Sequence, residues 1–384
     1  MNREMIIGLS RHKFNTDRRN EAVNAPQFFP SLEILRGLAA LTVALYHVSW
    51  RTHFSDWGLV RNGYLMVDFF FILSGFVIFH AYGDRIRKLP DLWRFLVARL
   101  GRLYPLHLAM LLCFLLIEIA KWVVVRLQIA PIASIPFATN NASSFIASLL
   151  LMQGLGFYGE PTWNVPSWSI SVEFWIYILF ALLVLAARRT LLTGASICLL
   201  IGLLTSYWFE HGLTSTARFA FLRGLLGFFS GVLLRSLYAD LRDRKFNQRG
   251  LGISLAIVGA ITLVFLFWKH PGLSDFLCVP FFAAIILIAA LGESNRQVLL
   301  RNHRLLALGT LSYSIYMVHS AVVWCFEFVL QHLVRMPRDF YYATNPWIGD
   351  LLALLFVALV IATARFTFRR IEEPGRLLAR RLSG

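Results

Sequence analysis

An arginine and a histidine stand eleven residues apart in the first long apolar stretch, LEILRGLAALTVALYH, as Arg36 and His47. Eleven residues are about three helical turns, so the two share one face and lie roughly 16 Å apart along the axis. Ionisable groups inside a membrane helix are costly and normally face a protein interior or a wet cavity, which makes the pair a candidate functional site. The alternative is a helix-end arginine snorkelling to the surface and a core histidine. Two carboxylates lie at comparable depth: Asp68 near the start of the next apolar run, and Glu173 near the start of the run that begins at Trp168. At 1.5 Å per residue all three groups are expected roughly 5 to 8 Å below one face of the membrane. A carboxylate there would orient the imidazole as a general base, whereas capping of a helix N-terminus is its bland role.

A second set of groups belongs to the opposite face. In FLVARLGRLYP, Arg99 and Arg102 are three apart on a helical surface beside Arg94 and point the same way. Guanidinium forks bind phosphate, so a polyanionic ligand made in the cytosol fits them; a basic cluster that sets topology or binds lipid headgroups is the other reading. Tyr316 and His319 also share a face at spacing three, and either line a channel or make an interhelical contact.

The elements that must position these groups are membrane helices. The chain is 58% hydrophobic and 15% charged, with a mean hydropathy of +0.63, and its apolar runs are long enough to cross a bilayer. The formal charge of +16 could suggest nucleic acid. The lysines and arginines, however, lie in short segments between apolar runs, as membrane topology requires, so no nucleic-acid partner is expected. The four cysteines, Cys113, Cys198, Cys278 and Cys325, sit inside apolar runs without metal-ligand spacing, and no metal is expected.

The fold class is therefore an all-α polytopic membrane protein of about ten transmembrane helices plus one re-entrant or interfacial helix. Spans are expected near residues 31–50, 64–82, 104–125, 168–187, 190–209, 218–238, 251–268, 274–292, 305–330 and 347–368. Residues 143–157 are apolar but short. Excluding them as a span puts the arginine-rich segments on one side, which makes both termini cytosolic. Residues 1–30 then form a cytosolic basic tail rather than a signal peptide, 31–370 one membrane domain, and 371–384 a cytosolic basic C-terminal tail. No internal repeat is evident, which argues against a secondary transporter. A transporter or flippase without catalytic chemistry is the rival class to an enzyme.

Six segments carry a resemblance: LEILRGLAALTVALYH, GYLMVDFFFILSGFVI, the arginine pair followed by LYP, PSWSISVEFWIY, LGTLSYSIYMVHS and IEEPGR. In this order and approximate spacing the chain, from about Ser31 to Arg376, resembles the acyltransferase 3 family of integral membrane O-acyltransferases that modify bacterial glycans and related molecules. The resemblance implies that His47 is the catalytic histidine and Arg36 its companion, that Arg99 and Arg102 serve acyl-CoA use, and that Asp68, Glu173, Tyr316 and His319 hold further motif positions. Glu33 stands where aspartate is common, Met66 where glycine is usual, and Phe174 where a second polar residue often follows Glu173. The expected reaction moves an acyl group, acetyl in the simplest case, from acyl-CoA (acetyl-CoA) to a glycan or glycolipid hydroxyl at the bacterial inner membrane. The bilayer and that acceptor are the expected partners.

Overall fold

The computed structural model describes residues 28–128, 135–186, 188–292, 302–333 and 345–383; residues 1–27, most of the expected N-terminal tail, lie outside them, as does the basic segment 293–301. Among the described residues every regular element is a helix. Nine helical segments among the described residues are long and apolar enough to cross a membrane. The first helix, α1 (Pro30–Tyr46), has 17 residues and opens with proline, whose missing N–H costs nothing in a first turn. At about 26 Å it is slightly shorter than a hydrocarbon core, and His47 is its C-cap.

The remaining helices follow the expected spans. They are α2 (Met66–Tyr82), α3 (Leu89–Arg126), α5 (Ser167–Ala186), α6 (Leu191–Thr205), α7 (Ala220–Leu241), α8 (Gln248–Trp268), α9 (Cys278–Leu291), α10 (His303–Phe328) and α11 (Pro346–Thr367). Two differences stand out. Helix α3 begins well before the expected span and runs unbroken for 38 residues through Pro105, so the helical surface that carries Arg94, Arg99 and Arg102 is continuous with the span. The expected C-terminal tail is a helix as well, α12 (Glu373–Ser383), which continues α11 through a π turn at Phe368–Glu372 and packs along the first part of α3.

The short apolar segment contains α4 (Ala142–Leu149), whose eight residues reach only about 12 Å. Its N-cap, Asn141, accepts a hydrogen bond from the Ser144 N–H at 3.0 Å. The side-chain Oδ1 of the neighbouring Asn140 accepts one from the Trp163 backbone N–H at 2.6 Å, so the chain returns to where it entered. Between those points it dips into the bundle. The Tyr104 hydroxyl donates to the Leu149 carbonyl at 3.0 Å, and the Trp175 indole and the Ser171 hydroxyl donate to the Leu151 carbonyl at 2.8 and 2.6 Å. This is a re-entrant loop, which gives otherwise orphaned backbone groups partners inside the protein.

Two close parallel helix pairs form the centre. A Cβ on Gly75 would fall 1.9 Å from the Phe228 carbonyl oxygen, and one on Gly231 2.0 Å from that of Ile72, so α2 and α7 touch backbone to backbone. Gly309 and Gly37 do the same for α10 and α1: a Cβ on Gly309 would lie 2.3 Å from the Glu33 carbonyl oxygen. Small residues of this kind are what membrane helices use to approach closely. His47 and His319 each lie ten residues beyond the glycine of their own helix, so the glycine contact fixes a register that brings the two rings together. Because α1 and α10 run in the same direction, the number of crossings between them must agree with a non-spanning α4.

Candidate active site

The His47 and His319 ring centroids are 4.8 Å apart. His47 Nδ1 lies 2.9 Å from the Val43 carbonyl oxygen, one turn earlier in α1. A carbonyl can only accept, so a neutral His47 carries its proton on Nδ1 and leaves the Nε2 lone pair free. His319 is fully buried, and neither of its ring nitrogens has a hydrogen-bond partner among the described residues. Tyr316, one turn away, stands 5.8 Å from it ring to ring; its hydroxyl meets Ser169 Oγ at 2.8 Å and donates to the Pro166 carbonyl at 3.1 Å.

Tyr316 also lines a cavity of about 170 Å³ that runs away from the histidines. Its polar wall holds Arg36, Ser74, Arg99, Arg102, Glu173 and Tyr177, set among aromatic and aliphatic side chains. Arg36 is held in place by Glu33 at 2.7 Å and by the Gly309 carbonyl at 3.1 Å, so the contact that sets the α1–α10 register also fixes this guanidinium. Arg99 donates to the Tyr82 hydroxyl at 3.0 Å, with its guanidinium 5.1 Å above that ring. Arg99 and Arg102 also form the wall of a second, wider pocket of about 330 Å³ at the end of the bundle far from His47. The two cavities thus share the arginine pair as a common wall.

The expected carboxylate–histidine arrangement does not form. Asp68 is bound through both oxygens by Arg223, at 2.9 and 2.6 Å, and both side chains are buried. Arg223 donates further to the Ser215 and Tyr64 carbonyls at 3.0 and 2.9 Å and lies 5.3 Å over the Trp168 ring. A buried carboxylate needs full pairing, and the fork from α7 meets that need in a way a single imidazole nitrogen cannot. Glu173 lies in a different layer: it accepts from Ser74 Oγ at 2.6 Å and from the Tyr177 hydroxyl, and Ser74 is six residues, or about 9 Å, along α2 from Asp68. The three groups expected in one layer are therefore separated, with His47 oriented by backbone, Asp68 paired to Arg223, and Glu173 in the cavity wall.

Several of these partners went unread in the sequence. Arg223 is an arginine in the middle of an apolar run and carries the same signal as Arg36. Glu33 sits one turn from Arg36, a spacing that favours pairing. Glu372, in the IEEPGR segment, accepts from the Ser314 hydroxyl at 2.7 Å while fully buried, which ties the C-terminus to α10.

Comparison with known proteins gives a consistent picture. A family model described as an acyltransferase domain matches residues 29–365. Among characterised relatives, the chain is 25% identical over 388 residues to the O-acetyltransferase OatA of Staphylococcus aureus (strain NCTC 8325 / PS 47), covering 94% of this chain and 59% of that protein. It is 27% identical over 395 residues to the acyltransferase MdmB of Streptomyces mycarofaciens, covering 92% of this chain and 93% of that protein. The chain thus spans less than two thirds of the staphylococcal relative's length. No solved structure matches it.

Proposed function

The chain belongs to the acyltransferase 3 family, and from that premise we propose that it is a membrane-bound O-acyltransferase that moves an acyl group from cytosolic acyl-CoA to a hydroxyl of a glycan or glycolipid. Exopolysaccharide, O-antigen and lipo-oligosaccharide offer acceptors of this kind. Acetyl is the acyl group proposed, in keeping with the O-acetyltransferase name of the staphylococcal relative. The observation that carries the reading is the pair of cavities that share Arg99 and Arg102, one wide and arginine-lined, the other lined at one end by Tyr316, whose ring lies against His319 and so next to His47. The roughly 16 Å between the levels of Arg36 and His47 is a distance an extended pantetheine arm can cover.

Membrane orientation follows from charge. The arginine-lined end faces the cytosol of a bacterial inner membrane, where acyl-CoA is made, and both termini lie on that side. His47 faces the opposite leaflet, where the acceptor arrives. With Nδ1 donating to Val43, Nε2 of His47 takes the proton of the acceptor hydroxyl as its oxygen attacks the thioester carbonyl. The new ester C–O bond forms, the C–S bond breaks, and the proton held on His47 passes to the departing thiolate. Arg99 and Arg102 grip donor phosphates, Arg36 and Glu173 line the path, and Tyr316 and His319 flank the reacting carbonyl. Asp68 acts at one remove, by locking α2 to α7 through Arg223.

The test compares surface glycans from cells carrying wild-type protein, His47→Ala or no gene, by mass spectrometry, alongside transfer of label from acetyl-CoA to an extracted acceptor. Wild type should add an acyl mass to the glycan, and His47→Ala should lower turnover by about two to four orders of magnitude. Near-normal acylation by the variant refutes the base, and unchanged glycans with substrate accumulating on one side of the membrane favour a flippase.

A further inference from the structure

The wide pocket is more basic than the arginine pair alone requires. Arg85, Arg94, Arg99, Arg102, Arg376 and Arg380 all line it. Its one acidic lining residue, Asp91, is engaged in accepting the Arg87 and Lys88 backbone N–H groups at 3.2 and 3.1 Å at the start of α3. Arg376 has Glu372 at 3.8 Å, too far for a close pair, and that carboxylate already accepts from Ser314. Six guanidinium groups around about 330 Å³ suit a ligand with several phosphates, more than one diphosphate would balance.

The arginines divide by position. Arg99 and Arg102 face both cavities, whereas Arg376 and Arg380 line the wide pocket alone. Their spacing of four on α12 points both to one side. Helix α12 is packed on α3 by small residues rather than by charge: a Cβ on Gly101 would lie 2.0 Å from that of Ala379, and one on Gly375 2.4 Å from the Pro105 ring. The basic side chains of α12 are thus held at the pocket by contacts in which they take no part.

We propose that α12 is the part of the donor site that reads the 3′-phosphate of the nucleotide: Arg376 and Arg380 hold that phosphate, while Arg99 and Arg102 hold the diphosphate at the neck where the pantetheine arm enters the inner cavity. The inference rests on the acyl-CoA reading and adds to it a specificity for the 3′-phosphorylated nucleotide. The segment from residue 373 onward is then a wall of the donor site rather than a tail.

The experiment measures binding of acetyl-CoA and of 3′-dephospho-acetyl-CoA to the full chain in a neutral detergent. Wild type should prefer acetyl-CoA on the order of 10- to 100-fold, the value of one charge-assisted phosphate contact. Arg376→Ala with Arg380→Ala should bring the two affinities together by weakening acetyl-CoA alone, and the double lysine variant should recover part of the preference. Gly101→Val, which pushes α12 away without removing an arginine, should also lower the preference. A double alanine variant that keeps the full preference overturns the proposal, as does loss of the preference in Arg85→Ala with Arg94→Ala instead. If wild type binds both donors equally while liposomes containing phosphatidylglycerol bind in an Arg376- and Arg380-dependent way, the pocket is a lipid-headgroup site and the proposal fails. Failure of wild type to bind acetyl-CoA at all would instead refute the donor reading itself.

Discussion

Replacing Arg223 by methionine separates a structural from a chemical role for Asp68. The substitution keeps length and apolar bulk but removes both contacts to the Asp68 carboxylate and the donors to the Ser215 and Tyr64 carbonyls. Asp68 and Arg223 are both buried, so the carboxylate would be left without a counter-charge, and breaking such a pair costs about 3–5 kcal/mol. That is a large fraction of a protein's net stability. Arg223→Met should therefore unfold in detergent at much lower temperature than wild type, and Asp68→Leu should suffer in the same way by stranding the guanidinium. The double variant, Asp68→Leu with Arg223→Met, removes both charges, and exchange of a buried pair for apolar residues of similar volume is often neutral or stabilising. It should regain most of the lost stability and, if Asp68 serves only to lock α2 against α7, most of the transfer activity. The assays are thermal unfolding followed by intrinsic tryptophan fluorescence, and acyl transfer with labelled acetyl-CoA. A double variant as stable as wild type but slower by two or more orders of magnitude would refute the structural assignment and return Asp68 to the chemistry. An Arg223→Met protein as stable as wild type would show that the pair contributes nothing.

Other perturbations probe the remaining contacts. Arg99→Ala with Arg102→Ala should weaken acetyl-CoA binding strongly, and lysine replacements should restore only part of it because ammonium lacks the bidentate fork; unchanged affinity in the titration would assign the pair to topology alone. Gly309→Leu places a side chain against the Glu33 carbonyl and should separate α1 from α10, with loss of activity even though both histidines remain; full activity would mean that the register is not needed. In a background lacking Cys113, Cys198, Cys278 and Cys325, Gly159→Cys, at a position with open space around its Cβ, should react with a membrane-impermeant thiol reagent from outside, and Thr190→Cys only after the membrane is opened. The reverse pattern would refute the assigned orientation.

Much of the fold was legible because hydropathy and charge placement are local signals. The spans follow from runs of apolar residues, and the re-entrant loop follows from the demand that arginine-rich segments share a side. What was illegible depends on pairing between distant helices. Asp68 was read beside His47 because a short loop joins their helices, but its partner is Arg223, 155 residues away, placed there by the glycine-mediated contact of α2 with α7. The presence of Arg223 in an apolar run was visible; which carboxylate it would meet was not. The basic C-terminus reads as a tail because its charges mask its helical packing, which rests on Ala379 and Gly375 against Gly101 and Pro105.

The histidine's surroundings follow a physical logic that the carboxylate–histidine expectation overlooked. In water-exposed sites a carboxylate can orient an imidazole because solvent shares the burden of the charge; inside a bundle of membrane helices the same carboxylate must be neutralised first. Here neutralisation consumes Asp68 entirely, through a guanidinium fork that leaves neither oxygen for His47. The Val43 carbonyl fixes the tautomer without adding a charge, since the end of α1 leaves backbone carbonyls free to accept. In the proposed reaction the imidazole holds the acceptor's proton only until the thiolate departs, so an uncharged orienting group meets the need. His47 thus works from a defined tautomer, which suits the proposed attack on a thioester, where the leaving group is good and the proton is needed again at once.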